Sequence, residues 1–293
     1  MSADAGVLTP GVPTPGVPTP TVDLHSHSTA SDGAHPPAVG VELAVKAGLA
    51  AFALTDHDTL AGIPEAQTAA DAAGLRLVPG VELSVHQDTT EVHLLGLHIR
   101  DVSALQSRLE VYRDRRVARA EEIVAKLRTL DVDLTVAQVL EAAGGGAVGR
   151  PHVARALIAG GHVKDSREAF DRYLGAGKPA YVEKERLDIA EGIAIVHEAG
   201  GIAVIAHPGA DGRRERIEPL VSLGLDGLEV RHPSHSSEDT KRIMALAEFF
   251  GLVPSGGSDW HGAQHGTRVL GGMQVPQAWL DAQDRRVAAR RAG

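Results

Sequence analysis

Cysteine is absent from the 293 residues, which excludes a disulfide framework and any thiolate metal site. A metal, if one binds, must be held by His, Asp and Glu, a donor set that suits Mn, Fe, Zn or Mg. Long apolar runs are missing too, and no stretch approaches the roughly 18 residues that would mark a membrane span. The N-terminus lacks a charged start followed by an apolar run, so no secretory signal is expected and the chain is expected to be cytoplasmic. Positive charge is in deficit, with 29 basic against 38 acidic residues and a formal charge of -9. That balance argues against a surface that coats nucleic acid, but it leaves room for a local basic pocket around one phosphorylated ligand. What remains is ample: 43% of residues are hydrophobic, enough for one large core or two smaller ones, and there are 15 histidines.

Residues 1–20 hold a Thr-Pro-Gly-Val-Pro repeat too rich in proline for sheet or helix, so an extended, disordered arm is expected there. From Thr21 short β-rich runs alternate with Ala-rich helical ones. Strands are expected at Val22–Leu24, Ala51–Leu54, Leu75–Leu83, Val92–Leu97, Ile202–Ala206, Gly227–Val230 and Leu252–Gly257. The alternation predicts a parallel α/β architecture. It breaks between residues 103 and 187, where only helical patterns occur: one long helix over Ser103–Leu130, then shorter ones near Thr135–Ala143, Pro151–Ala159 and Ser166–Leu174. This all-α block is expected as an insertion on the mouth of a barrel made by residues 21–102 and 188–276. The basic tail, residues 277–293, is expected to be a solvated helix. Gly144-Gly145-Gly146 is expected to be a flexible joint, since no strand feeds it.

The chemistry-bearing residues stand on or just after the strands. His25, His27 and Asp32 follow the first, His57 the second, and Glu82 and His93 lie on the third and fourth. His207 follows the fifth, and Asp259 and His261 the seventh. In an α/β barrel the C-terminal ends of the strands form the functional face, so these nine would converge there. One or two core histidines need no explanation; His-x-His, Asp-x-His, and a Glu and a His between them point to metal. Nine donors exceed what one ion takes, and two or three divalent ions sharing a bridging carboxylate fit the count.

Leu24-His25-Ser26-His27, Thr55-Asp56-His57-Asp58, Gly80-Val81-Glu82, His93-Leu94-Leu95-Gly96, Ala206-His207-Pro208 and Gly257-Ser258-Asp259-Trp260-His261 resemble the PHP (polymerase and histidinol phosphatase) family in order and spacing. The resemblance covers roughly residues 21–100 and 190–275. It is nearest to members with a helical insert that act as 3',5'-nucleoside bisphosphate phosphatases or 5'-to-3' exoribonucleases. It implies a distorted (β/α)7 barrel with an inserted all-α subdomain. It also implies an ion held by His25, His27, Glu82 and Asp259, a second by Glu82, His93 and His207, and a third by Asp32, His57 and His261. Manganese is the foremost expectation, with zinc, iron or magnesium as alternatives. Glu82, His207 and Asp259 are expected to be the catalytic members of the set. In the insert, Gly149-Arg150-Pro151-His152 resembles a Ser-Arg-Pro-His segment, with Gly149 in place of the serine.

The implied activity is hydrolysis of nucleotide phosphate monoesters by metal-activated water, on a small nucleotide or short RNA, with no stable nucleic-acid complex. Arg150, at a helix start, suits a second phosphate, and a surface cap interaction is the alternative. His152 and His235 are further candidates for substrate contact. His232 is expected to be structural, Asp58 to orient a ligand or cap a helix, Lys178 to line the insert's mouth or sit in a solvated loop, and Arg213, Arg214 and Arg216 to form a solvated face. Competing readings are a histidinol-phosphate phosphatase, which needs no second phosphate site, and a metal-binding regulatory module without catalysis.

Overall fold

The computed structural model describes residues 20–144, 148–183 and 187–292. The proline-rich arm up to residue 19, and Gly145 and Gly146 of the glycine joint, lie outside them. Eight strands form one sheet: β1 (Thr21–Asp23), β2 (Ala51–Leu54), β3 (Arg76–Gln87), β4 (Thr90–Leu97), β5 (Ile202–Ile205), β6 (Gly227–Arg231), β7 (Val253–Gly256) and β8 (Val275–Pro276). Their order is β7-β6-β5-β4-β3-β2-β1-β8. Beyond the β7 end of the sheet the chain returns to β1. The Leu24 N–H donates to Gly256 O at 3.1 Å, Asp259 N–H to His25 O at 2.9 Å and His27 N–H to Trp260 O at 2.8 Å. The sheet is thereby nearly closed into a distorted barrel.

All seven expected strands are present, but the pairing is not parallel throughout. β4 runs antiparallel to both β3 and β5. The reason is local: Gln87 pairs with Thr90, leaving a two-residue turn in which Asp88 has φ 57°. A turn that short makes a hairpin, whereas a parallel pairing would need a crossover of a dozen residues or more. The reversal has a consequence for the site. β4 starts at the end where the parallel strands finish, so His93, opposite Ser84, reaches the same mouth as Glu82. The short β8, antiparallel to β1, was not anticipated.

Strand alternation splits the core into two layers. Ala51, Ala53, Ile202 and Val204 point into a barrel-interior cluster with Val22, Leu24, Leu95 and Leu97. Phe52, Leu54, Ala203 and Ile205 point outward into a cluster with the surrounding helices. On that outer side lie α1 (Pro37–Lys46) and α2 (Ile63–Ala73), the latter ended by Gly74 at φ +67°. α3 (Val102–Arg128) is capped by Asp101, whose side chain accepts the Ala104 N–H at 3.0 Å. Its 27 residues make a rod of about 40 Å. Leu105 and Leu109, near its start, belong to the barrel's outer core. Ala120, Ile123, Val124 and Leu127, near its end, belong to a separate core shared with α4 (Val136–Ala143), α5 (Arg150–Ala159) and α6 (Ser166–Ala169), which continues as a π-helical turn over Phe170–Leu174. One helix therefore carries the second core on the first.

The remaining helices are α7 (Ile189–Glu198), α8 (Arg214–Ser222), α9 (Ser237–Phe250) and α10 (Gln277–Ala292). The expectation of a solvated tail is corrected by α10. Its Leu280 and Val287 fill the barrel interior, and Arg290 reaches the fully buried Asp226 at 3.1 Å. Gln283, also fully buried, donates to Pro254 O at 3.0 Å. The helix plugs the end of the barrel opposite the histidines.

Candidate metal centre

Glu82 is the hub. Fully buried on β3, its Oε2 lies 3.2 Å from His25 Nε2, 3.2 Å from His27 Nε2 and 3.3 Å from His57 Nδ1. Its Oε1 lies 2.8 Å from His93 Nδ1 and 3.0 Å from His207 Nε2. Asp259 faces the same histidines from the end of β7, with Oδ1 3.2 Å from His27 Nε2 and 3.5 Å from His25 Nε2. Asp32, half exposed at the rim, lies 3.2 Å from His261 Nε2 and 3.9 Å from His57 Nε2. All nine residues read from the sequence as ligands are thus brought together.

The backbone is bent to achieve this. Asp58, His207 and Asp259 have φ of 51°, 29° and 51°, a region that non-glycine residues avoid and that marks functional sites. Gly257 permits the chain to pass β1: a Cβ there would sit 2.4 Å from the His25 nitrogen.

Burial opposes ionisation of Glu82, but the charge of His25 and hydrogen bonds from His207 and His25 outweigh it and hold its carboxyl well below the usual range. Burial likewise opposes a charge on His27, yet Asp259 and Glu82 push it up to about 9. Such a cluster either holds protons between its carboxylates and imidazoles or exchanges them for cations. The second fits the geometry. Among the described residues both ring nitrogens of the fully buried His27 lack a hydrogen-bond partner, although two carboxylate oxygens lie within 3.2 Å of Nε2. A buried imidazole that faces two carboxylates without bonding either suits a coordinated ion. The donor atoms of His25, His27, Glu82 and Asp259 lie within 4.8 Å of one another, as do those of His27, Asp32, His57 and His261, and those of His57, Glu82 and His93.

From this centre a cleft of about 690 Å³ runs past Asp32, His57 and His93 to Arg116, Arg119, Arg150, His152 and Arg155. Arg116 pairs with Asp58 at 2.8 Å, and Asp58 also accepts the Ser84 N–H at 2.9 Å, so Asp58 ties α3 to β3 beside His57. Arg150 and Arg119 donate only to carbonyls among the described residues, to Leu174 O at 3.0 Å and Val182 O at 2.7 Å. No carboxylate among the described residues forms an ion pair with either. His152 Nδ1 accepts the Gly149 N–H at 3.0 Å. His235 stands apart. Its Nδ1 donates to Val230 O at 3.0 Å and its Nε2 accepts the Gly209 N–H at 3.1 Å, so both ring nitrogens are spent on backbone. Lys178 is not among the residues lining the cleft. Arg214 pairs with Glu218 on the surface, while Arg216 lines a second cleft of about 200 Å³ that reaches His93 and His207.

Sequence reasoning missed several residues. Glu229 on β6 is fully buried and bonds His25 Nδ1 at 2.9 Å; an acid inside the apolar run Gly227–Val230 was the signal available. His232, read as structural, is buried with Nε2 3.3 Å from Asp259 Oδ2. Asp56 holds the His27–Asp32 loop by accepting from the Ser28 N–H at 2.7 Å and the Ser31 hydroxyl at 2.6 Å. Arg268 pairs with Asp259.

Similarity to known proteins agrees with this geometry. The chain is 39% identical over 249 residues to a 5'-3' exoribonuclease of Haemophilus influenzae, covering 82% of this chain and 89% of that one. It is 37% identical over 257 residues to a 3',5'-nucleoside bisphosphate phosphatase of Chromobacterium violaceum, covering 85% and 90%. A crystal structure of a protein from Bifidobacterium adolescentis, assigned as a metal-dependent phosphoesterase, superposes with a TM-score of 0.70 at 33% identity, over 93% of this chain and 97% of that one. The PHP domain model matches residues 23–184. With its buried His, Asp and Glu cluster, the chain belongs to the PHP domain family.

Proposed function

We propose that this metal-dependent phosphoesterase hydrolyses phosphate monoesters of nucleotides, with 3',5'-nucleoside bisphosphates and the 5' ends of short RNA as substrates. The observation that carries the reading is the cleft joining the Glu82 centre to Arg119 and Arg150, which have no carboxylate ion-pair partner among the described residues. One phosphate would sit at the centre and a second among the guanidiniums, whose planar forks match phosphate oxygens. A monophosphate such as histidinol phosphate leaves that second site unused.

His25, His27, Glu82 and Asp259 would hold one ion, Glu82, His93 and His207 a second, and Asp32, His57 and His261 a third. Manganese is the metal we favour. Held there, divalent ions would supply the Lewis acidity that hydrolysis of a phosphate ester requires. The protein's own contribution is positional. Glu82, Asp259 and His207 set the centre, Asp58 fixes the loop bearing His57, and Arg150 with His152 anchors the distal phosphate. With both nitrogens on backbone, His235 would shape the loop after β6 and offer no free ring nitrogen to substrate. No stable nucleic-acid complex is expected of a chain with net charge -9. No helix among the described residues is long and apolar enough to cross a membrane; we place the enzyme in the cytoplasm. The test is phosphate release from adenosine 3',5'-bisphosphate, 5'-AMP and histidinol phosphate with Mn²⁺. Preference for the bisphosphate supports the reading, and equal or faster release from histidinol phosphate refutes it.

A further inference from the structure

Of the seven strands expected from the sequence, β6 alone supplies none of the nine proposed ligands, yet it is buried along its length except at Arg231. The Glu229 side chain on it is fully buried, and both of its oxygens are committed. Oε1 accepts from His25 Nδ1 at 2.9 Å. Oε2 accepts the backbone N–H of His207 at 2.6 Å. Burying a carboxylate inside a barrel is costly, and it persists only when its charge and lone pairs are satisfied. Here the satisfaction comes from two residues of the metal centre, one on each side of Glu82.

We propose that Glu229 is a positioning residue that organises two ligands at once. A carboxylate can only accept, so the His25 ring must carry its proton on Nδ1. That leaves the Nε2 lone pair facing Glu82 Oε2 at 3.2 Å and Asp259 Oδ1 at 3.5 Å, where an ion would sit. The second bond acts on backbone. His207 has φ 29°, a strained conformation for a residue with a Cβ, and the bond to its N–H pins the peptide so that its Nε2 reaches Glu82 Oε1 at 3.0 Å. Although its carboxylate lies within 4.8 Å of donor atoms of His25 and His232, both Glu229 oxygens already serve these two bonds, so its role is to position ligands and not to be one.

The test is Glu229→Gln, which keeps the volume but offers one acceptor and one donor. With its oxygen toward His207, its amide donates to His25 Nδ1 and drives the ring proton onto Nε2, blocking the ion. With its oxygen toward His25, its amide meets the His207 N–H donor to donor. The expected result is a 10–100-fold weaker Mn²⁺ affinity, measured by calorimetry on metal-stripped protein, with activity recovered at high Mn²⁺ and substrate KM unchanged. Mn²⁺ affinities within twofold of wild type would overturn the proposal. So would weak activity that added Mn²⁺ does not restore, since that marks a general structural defect. If the variant does not fold, nitrogen NMR of the zinc-loaded wild type decides. A proton on His25 Nδ1 supports the assignment; a proton on Nε2 overturns it. The inference rests on the metal-centre reading, and the two fail separately. A wild type that takes up no metal sinks the centre, whereas equal uptake by wild type and Glu229→Gln sinks only this role.

Discussion

At the scale of single residues, the centre depends on Glu82, whose two oxygens face five imidazoles. Glu82→Ala should remove the bridge and leave those rings facing one another. Activity should fall by more than the 10–100-fold expected for an outer-shell change, and metal analysis should show fewer ions per chain. Arg150→Ala tests the other end of the cleft. A lost charge-assisted hydrogen bond of about 1.5–3 kcal/mol corresponds to a roughly 10–150-fold lower kcat/KM for a bisphosphate, with little change for 5'-AMP. Equal losses on both would place Arg150 in structure, through its bond to Leu174 O, and not in recognition. The convergence of the nine residues was legible because His-x-His and Asp-x-His have no packing explanation. Glu229 and Asp56 were not. A single buried acid beside a strand looks the same in sequence whether it supports a ligand, caps a helix or faces solvent, and only its partners decide.

At the scale of elements, β4 and α10 carry the lessons. Alternating β-rich and helical runs predicted the positions of seven of the eight strands, and the gap between Leu83 and Val92 already held the hairpin, since eight residues leave no room for a crossover helix. α10 misled because the pairs Arg285-Arg286 and Arg290-Arg291 read as solvated, while Leu280 and Val287 close the barrel. Asp226 lies at that end. Burial opposes its ionisation, but hydrogen bonds from His197 at 2.7 Å and the Ala203 N–H at 3.0 Å, with Arg290 nearby, hold its carboxyl below the usual range. A carboxyl depressed by folding stabilises the protein above its unfolded value, near 3.9, and loses that contribution as pH falls through its folded one. Asp226→Asn should therefore cost about 3 kcal/mol in urea unfolding at pH 7. The difference from wild type should persist to about pH 5 and narrow below about pH 4. A gap that widens in acid would contradict this account of the latch.

For the molecule as a whole, two cores on one helix set the geometry. α3 begins against α7, where Tyr112 donates to Glu191 at 2.6 Å, and ends in the second core, so the arginines of the insert stand over the barrel mouth at a distance the helix fixes. Since cations would bind the folded protein, Mn²⁺ at 100 times its dissociation constant should add about 2.7 kcal/mol. Chelation should lower Tm by roughly 5–10 °C. The far-UV circular dichroism should not change, because neither hydrophobic core includes a proposed ligand. The most direct measurement is phosphate release from adenosine 3',5'-bisphosphate as Mn²⁺ is titrated into metal-stripped protein. The account predicts no release without metal and full activity at two or three ions per chain. Release that persists under chelation, or none at saturating Mn²⁺, would contradict it.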